Sequence, residues 1–309
     1  SLARPYAWLF VIVIVVALLI SGARMAEKYV FKVLIDEGTA FSAGTLSSEA
    51  FLSIIVVLVG VFLGSVLVHA LGGWFKHHFI IWLDSNLVFD LKKKFFDHLV
   101  HLSHRFHTTH KTGSLISRLG RGSRAVEGIT DFVSFDIFPL IIEALVVGSA
   151  ILYFDALSAG VALGVMVLFT SWSLFVLDKQ QPSRLKANEA DDREKAVVAD
   201  VFTNIESVKY FGKEHRVKAF FARLAEITKK RLKKNWHYLR YLEAGQTLIL
   251  GVGTVLLLYL PFMKFLDGGL SMGSLVFIYT VYGNLTGPLF GFVYGVRRFY
   301  EGMADLYDL

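Results

Sequence analysis

The chain has 309 residues, is 54% hydrophobic, and carries a formal net charge of +6 without a single cysteine. Disulfide and thiol chemistry are excluded outright. The apolar residues are gathered into long uncharged blocks rather than scattered at helical or strand spacing, which excludes an ordinary soluble domain.

The first block is YAWLFVIVIVVALLI, residues 6–20. Arg24, Glu27 and Lys28 follow it in place of a small-residue cleavage site. It therefore reads as a membrane span over about 6–34, not as a signal peptide. Residues 36–50 hold no Lys or Arg. The second block opens at residue 51, with a span over about 51–83, and its helical pattern does not stop at the membrane. Leu87, Phe89, Leu91, Phe95, Phe96, Leu99 and Leu102 recur at mostly helical spacing opposite a charged face. One helix from about 52 to 102 is predicted, roughly 75 Å long against a hydrocarbon core of roughly 30 Å. Its end carries His98, His101, His104, His107 and His110 at every third position. On a helix that spacing turns by about 60° per step, so the imidazoles spread around half the surface instead of converging, and no metal site is predicted.

The helix breaks at TTHKTG, where Gly113 ends the turn. Arg118, Arg121 and Arg124 then begin a third helix whose span covers about 131–154, with Asp136 and Glu143 in or near the apolar part. The fourth block, with a span over about 156–178, ends in LDKQQPSR, which contains Gln180 and Gln181. A polar helical stretch over 183–200, a turn near Thr203 to Ser207 and a charged helix over 215–240 lead into the fifth span, about 241–265, which carries Gln246 and Thr247. The sixth span, about 274–298, is flecked with Tyr279, Tyr282, Asn284 and Thr286. Tyr279, Tyr282 and Thr286 lie three or four apart, on one helical face. Pro288, flanked by Gly283, Gly287 and Gly291, marks a kink. Polar residues within spans are costly and face a cavity or one another. Gln246, Tyr282, Asn284 and Thr286 are thus candidate cavity residues, with helix-to-helix adhesion as the alternative.

These elements predict an all-α membrane protein of six transmembrane helices, with two helical hairpins, about 84–130 and 179–240, projecting from the bilayer. The segments 84–130 and 178–241 hold 24 of the 32 Lys and Arg residues. The positive-inside rule puts both segments, and both termini, in the cytoplasm. The basic charge reads as a solvated face, with no nucleic-acid partner expected.

Two stretches resemble a known family. RFHTTHKTGSLISRLGRGSR (105–124) is similar to the first intracellular coupling region of exporter-type ABC transporters, and NEADDREKAVVADVFTNIESVKYFGKE (188–214) to the second. FPLIIEALVVGSAIL (138–152) and NLTGPLFGFVYGVRR (284–298) are similar as well. The features RFH, NEAD and N-x-E-x-V-K-Y-F resemble the subfamily of the mitochondrial exporter linked to iron–sulfur protein maturation and its bacterial relatives.

The resemblance implies alternating access by a homodimer that encloses one cavity, driven by nucleotide-binding domains that push on the hairpin tips. The implied tips are Thr108, Thr109, His110, Lys111, Thr112 and Gly113, and Asn204, Ile205, Glu206, Ser207 and Val208. No G-x-x-x-x-G-K-[ST] loop exists in the chain. ATP and Mg would be held by a nucleotide-binding domain absent from it, fused or separate. The chain has no catalytic residue of its own, and becomes part of an ATP-hydrolysing translocase only with that domain. Its ends read as those of a transmembrane fragment.

The implied substrate is a glutathione-related thiol or metal conjugate. Arginine forks hold carboxylates bidentately, and Arg118, Arg121 and Arg124 are the candidates. Arg121 aligns with one member of the subfamily's arginine pair, while Ser117 stands where the other would be. Gln180 and Gln181 fall at the level of the inner mouth of the cavity. The alternatives are a lipid or multidrug exporter of the same fold, handling an amphipathic substrate, and a non-transporting receptor or scaffold. The reading favours a bacterial or archaeal inner membrane over the mitochondrial one.

Overall fold

The computed structural model describes residues 4–103 and 112–307, with the side chains of 112–115, 117, 118, 301 and 304–307 outside the description. Among these residues every regular element is helical. A 3-10 turn (Arg4–Tyr6) precedes α1 (Ala7–Ser42) and α2 (Ser48–Val100). Then come α3 (Thr112–Asp131), a π-helical segment (Phe132–Ile137), α4 (Phe138–Phe154) and α5 (Ala156–Thr203). The short α6 (Ile205–Tyr210), α7 (Glu214–Leu266), α8 (Met272–Gly283) and α9 (Thr286–Tyr307) complete the order.

Six helical stretches are long and apolar enough to cross a membrane. The second of them shows why a bilayer is the required solvent. In its most apolar window only 6% of residues are buried within the protein, and Leu52, Val56, Val57, Leu63 and Leu67 stand exposed. An apolar surface of this extent is untenable in water and costs nothing against acyl chains, provided the backbone is satisfied internally, as in a helix.

The ends of the elements follow from local chemistry. Ser47 caps α2, accepting from the Ala50 amide at 3.3 Å, and Ser271 caps α8, accepting from the Ser274 amide at 3.1 Å. Asp155 caps α5 through the amides of Leu157 and Ser158. Gly44 and Gly212, at φ of 74° and 60°, turn the chain after α1 and before α7, in backbone that L side chains rarely adopt.

The second helix, expected over 52–102, runs over Ser48–Val100. Three details depart from expectation. Arg121 and Arg124 do not begin the third helix; α3 starts at Thr112, so they lie turns inside it. The fourth span and the polar stretch expected over 183–200 are one uninterrupted helix, because α5 continues through Pro182 to Thr203. A proline costs one backbone hydrogen bond, and 48 residues of helix on both sides absorb that loss. The kink expected at Pro288 is a full break four residues earlier, between α8 and α9. The Asn284 and Leu285 amides there close 3-10 turns on Val281 and Tyr282, at 3.0 Å each.

The chain divides into two compact units, Ser1–Met166 with Val252–Leu309, and Val167–Gly251. The first has a core in which Leu9, Leu83 and Leu87 are joined by Tyr6, Phe10, Phe79 and Val126. In the second, α5 and α7 run antiparallel. Ser173 accepts from Gln246 at 2.9 Å, Gln180 donates to Asn235 at 3.1 Å, and Thr228 donates to the Ala190 carbonyl at 3.3 Å. As position rises along α5 its partner falls along α7, which fixes the register.

Candidate functional site

Two regions carry features that packing alone does not require. The first is the turn from α5 to α7. Asn204 follows α5 and its side chain donates to the Asp200 carbonyl at 2.9 Å, so it closes the end of α5 rather than capping α6. Glu206 and Ser207 are exposed, Val208 is half-buried, and no residue of α6 is buried. Lys209 pairs with Glu214 at 3.2 Å across Gly212 and so fixes the turn. Around this frame Phe202, Tyr210 and Phe211 are 68%, 85% and 66% exposed. Aromatic side chains held out from a polar, well-formed turn suit a partner protein. Of the other predicted tip, Thr108, Thr109, His110 and Lys111 lie outside the described residues. Thr112 and Gly113 open α3, with their side chains outside the description.

The second region is a set of charges set among the apolar stretches of the first unit. Glu143 on α4 is completely buried. It accepts from the Ser21 hydroxyl at 2.8 Å and pairs with Arg24, both on α1. Its second oxygen has no partner among the described residues, and neither does the Arg24 Nε. Asp136, in the π-helical segment, accepts from Arg298 of α9 at 2.7 Å. Gly291 and Gly295 make room for it; a side chain at Gly295 would collide with Asp136 and Phe132. The Lys76 ammonium sits 4.9 Å over the Phe135 ring. Glu143 and Asp136 are thus each neutralised by an arginine from another helix, as a charge in apolar surroundings requires. The spacing of the apolar blocks pointed to Asp136 and Glu143 but not to Ser21, Arg24, Lys76 or Arg298. The basic residues flank or interrupt their blocks and read as ordinary anchors until the partner helix is placed.

The predicted cavity residues are distributed unevenly. Tyr282 is buried, and Gly253 leaves space for its hydroxyl, which a Cβ there would meet at 2.9 Å. Asn284 lies at the α8–α9 break with its amide nitrogen buried and without a partner among the described residues; the Ser134 hydroxyl is in the same condition. Thr286 is half-buried and Thr247 exposed. Arg121 is half-buried, Arg124 exposed, and the Arg118 side chain lies outside the description. Gln181 accepts from Arg184 at 2.8 Å. Gln180 and Gln246 are 2% and 3% exposed, and their amides hold Asn235 and Ser173. In this conformation both join α5 to α7. Among the described residues no group of three or more His, Asp or Glu side chains is arranged to hold a metal ion.

Comparison with known proteins matches residues 10–289 to the family described as the ABC transporter transmembrane region. The chain is 27% identical over 307 residues to the mitochondrial iron-sulfur clusters transporter ATM1 of Candida glabrata, covering 96% of this chain and 41% of that protein. It is 26% identical to the protein of the same name from Saccharomyces cerevisiae, over 96% of this chain and 43% of that one. Heavy metal tolerance factor 1 of Caenorhabditis elegans is 28% identical over 62% of this chain and 24% of its own. The chain thus spans less than half the length of the curated relatives it matches. The mitochondrial relatives give the expected bacterial or archaeal membrane no support. A solved bacterial Atm1-family ABC exporter with ATP bound has the same fold, with a TM-score of 0.76 at 22% identity over 98% of this chain and 52% of that one. With a family match over most of its length, the chain belongs to the ABC transporter transmembrane regions.

Proposed function

We propose that the chain is the membrane part of an ATP-driven exporter that works by alternating access as a homodimer, with both termini on the cytoplasmic side. The observation that carries this reading is the exposed aromatic turn of Phe202, Tyr210 and Phe211, held at the end of helices that outrun any bilayer. A nucleotide-binding domain is the partner such a turn serves. ATP and Mg are held by that domain, and its closure is transmitted through 108–113 and 204–208.

The proposed cargo is a glutathione-related thiol or metal conjugate. Relatives named for iron–sulfur clusters and for heavy-metal tolerance support this reading. So does the buried, unpartnered amide of Asn284, a donor with no duty inside the protein. Thr286 and Tyr282 flank it in sequence, and Arg118, Arg121 and Arg124 supply cations for carboxylates. Gln181 stands at the inner mouth; Gln180 and Gln246 reach a substrate only by releasing Asn235 and Ser173. The test is reconstitution of the chain with its nucleotide-binding domain and measurement of ATPase stimulation. Oxidised glutathione, a glutathione–metal complex and a hydrophobic drug are compared. Stimulation by a thiol species is expected; stimulation by the drug alone would replace the proposed cargo with an amphipathic one.

A further inference from the structure

Within the second unit, α5 and α7 enclose a pocket of about 180 Å³. Its wall includes Lys179, Ser183 and Lys186 from α5 and Arg231, Lys234 and Tyr238 from α7. Four basic residues converge here, and no acid is among the residues that line the pocket. Arg231 donates to the Lys186 carbonyl at 3.0 Å and reaches Glu189 at 3.5 Å. Lys179, Lys186 and Lys234 are exposed, and among the described residues none of them pairs with a carboxylate. Ammonium groups gathered around one concavity repel one another unless an anion sits between them.

The height of the pocket says which anion. The apolar block of α5 ends at residue 177, and the Gln180–Asn235 hydrogen bond puts the α7 side of the pocket at the same level. At about 1.5 Å per residue, Lys179 and Ser183 fall roughly 3–9 Å beyond the hydrocarbon, from inside a headgroup layer about 5–8 Å deep to its outer edge. Lys186 lies one turn further out and reaches back along its flexible stem. Towards the hydrocarbon the helices turn aromatic. Phe175, one turn from Lys179 and 5.9 Å from its ammonium, is 57% exposed, and Tyr241, one turn from Tyr238, is 66% exposed. A cationic cup under an exposed aromatic wall matches a molecule with a phosphate head and apolar tails.

We propose that this pocket binds the phosphate of an anionic phospholipid from the leaflet adjoining the helical extensions. Lys179, Lys186 and Lys234 surround the phosphate oxygens, the Tyr238 and Ser183 hydroxyls donate to them, and the acyl chains lie along Phe175 and Tyr241. The site is independent of the transported substrate.

Native mass spectrometry of the full chain in detergent tests it, with phosphatidylglycerol, phosphatidylcholine and inorganic phosphate as probes. The chain is expected to retain phosphatidylglycerol about tenfold more strongly than phosphatidylcholine. Lys186→Ala with Lys234→Ala should erase that preference. Lys186→Arg with Lys234→Arg should keep it, as should Lys213→Ala at the distant turn. Circular dichroism confirms that each variant is folded. Equal retention of the two lipids, loss of the preference in Lys213→Ala, or displacement of phosphatidylglycerol by millimolar inorganic phosphate would overturn the proposal.

Discussion

The tightest constraint at the level of single residues is the Glu143–Arg24 pair. Removing one partner strands a charge in apolar surroundings, whereas removing both leaves a surface that hydrocarbon tolerates. Arg24→Leu is therefore expected to destabilise by about 3 kcal/mol. Adding Glu143→Leu should recover most of that loss, read as the thermal unfolding midpoint of the purified chain in detergent. Glycines give a second contrast. A methyl group at Gly245 would enter the Trp172 ring, while one at Gly251 meets nothing within 4 Å. Gly245→Ala should lower stability by about 1–3 kcal/mol through overpacking, and Gly251→Ala should raise it by up to about 1 kcal/mol through helix propensity. Opposite shifts of the unfolding midpoint would confirm that Gly245 is there for Trp172 and not for flexibility.

At the level of elements, the turn of α6 separates folding from work. Tyr210 and Phe211 are largely exposed, so Tyr210→Ser with Phe211→Ser should leave the stability within about 0.5 kcal/mol of the parent, read from the unfolding midpoint. In the transporter joined to its nucleotide-binding domain, the same variant should lose substrate-stimulated ATPase activity and transport. The long helices were legible in the sequence because uncharged blocks and unbroken periodicity are strong signals; α2 lies within four residues of its expected bounds at the start and two at the end. The α8–α9 break was legible as a kink at Pro288 but misplaced, since the strain of a proline appears in the turn before it. The π-helical segment left no mark, as one extra residue in a helix changes no pattern that periodicity can register. The engagement of Gln180 and Gln246 was invisible for a different reason. A polar residue in a span tells of a polar partner, but only the register of α5 against α7 tells that the partner is Asn235 or Ser173.

For the whole molecule, the stiffness of the extensions is itself testable. Lys92→Gly with Lys93→Gly, both exposed on α2, would weaken that helix locally by about 2 kcal/mol without touching the core. If the extension transmits force, ATP hydrolysis should persist in reconstituted transporter while transport per ATP falls severalfold. The far end of α2 has the opposite character. There the Phe41 and Phe51 rings stack with centroids 4.7 Å apart. Asp36 accepts from the Gly273 amide at 2.8 Å and the Ser271 hydroxyl at 2.9 Å, so it joins α1 to the start of α8. A rod pinned at one end converts angle into travel. A tilt of about 5° about this fulcrum would carry the other end of a helix roughly 80 Å long through roughly 7 Å. In the alternating access proposed above, the small pinned cap, made of one carboxylate and two stacked rings, sets how far the other end of α2 travels for a given tilt.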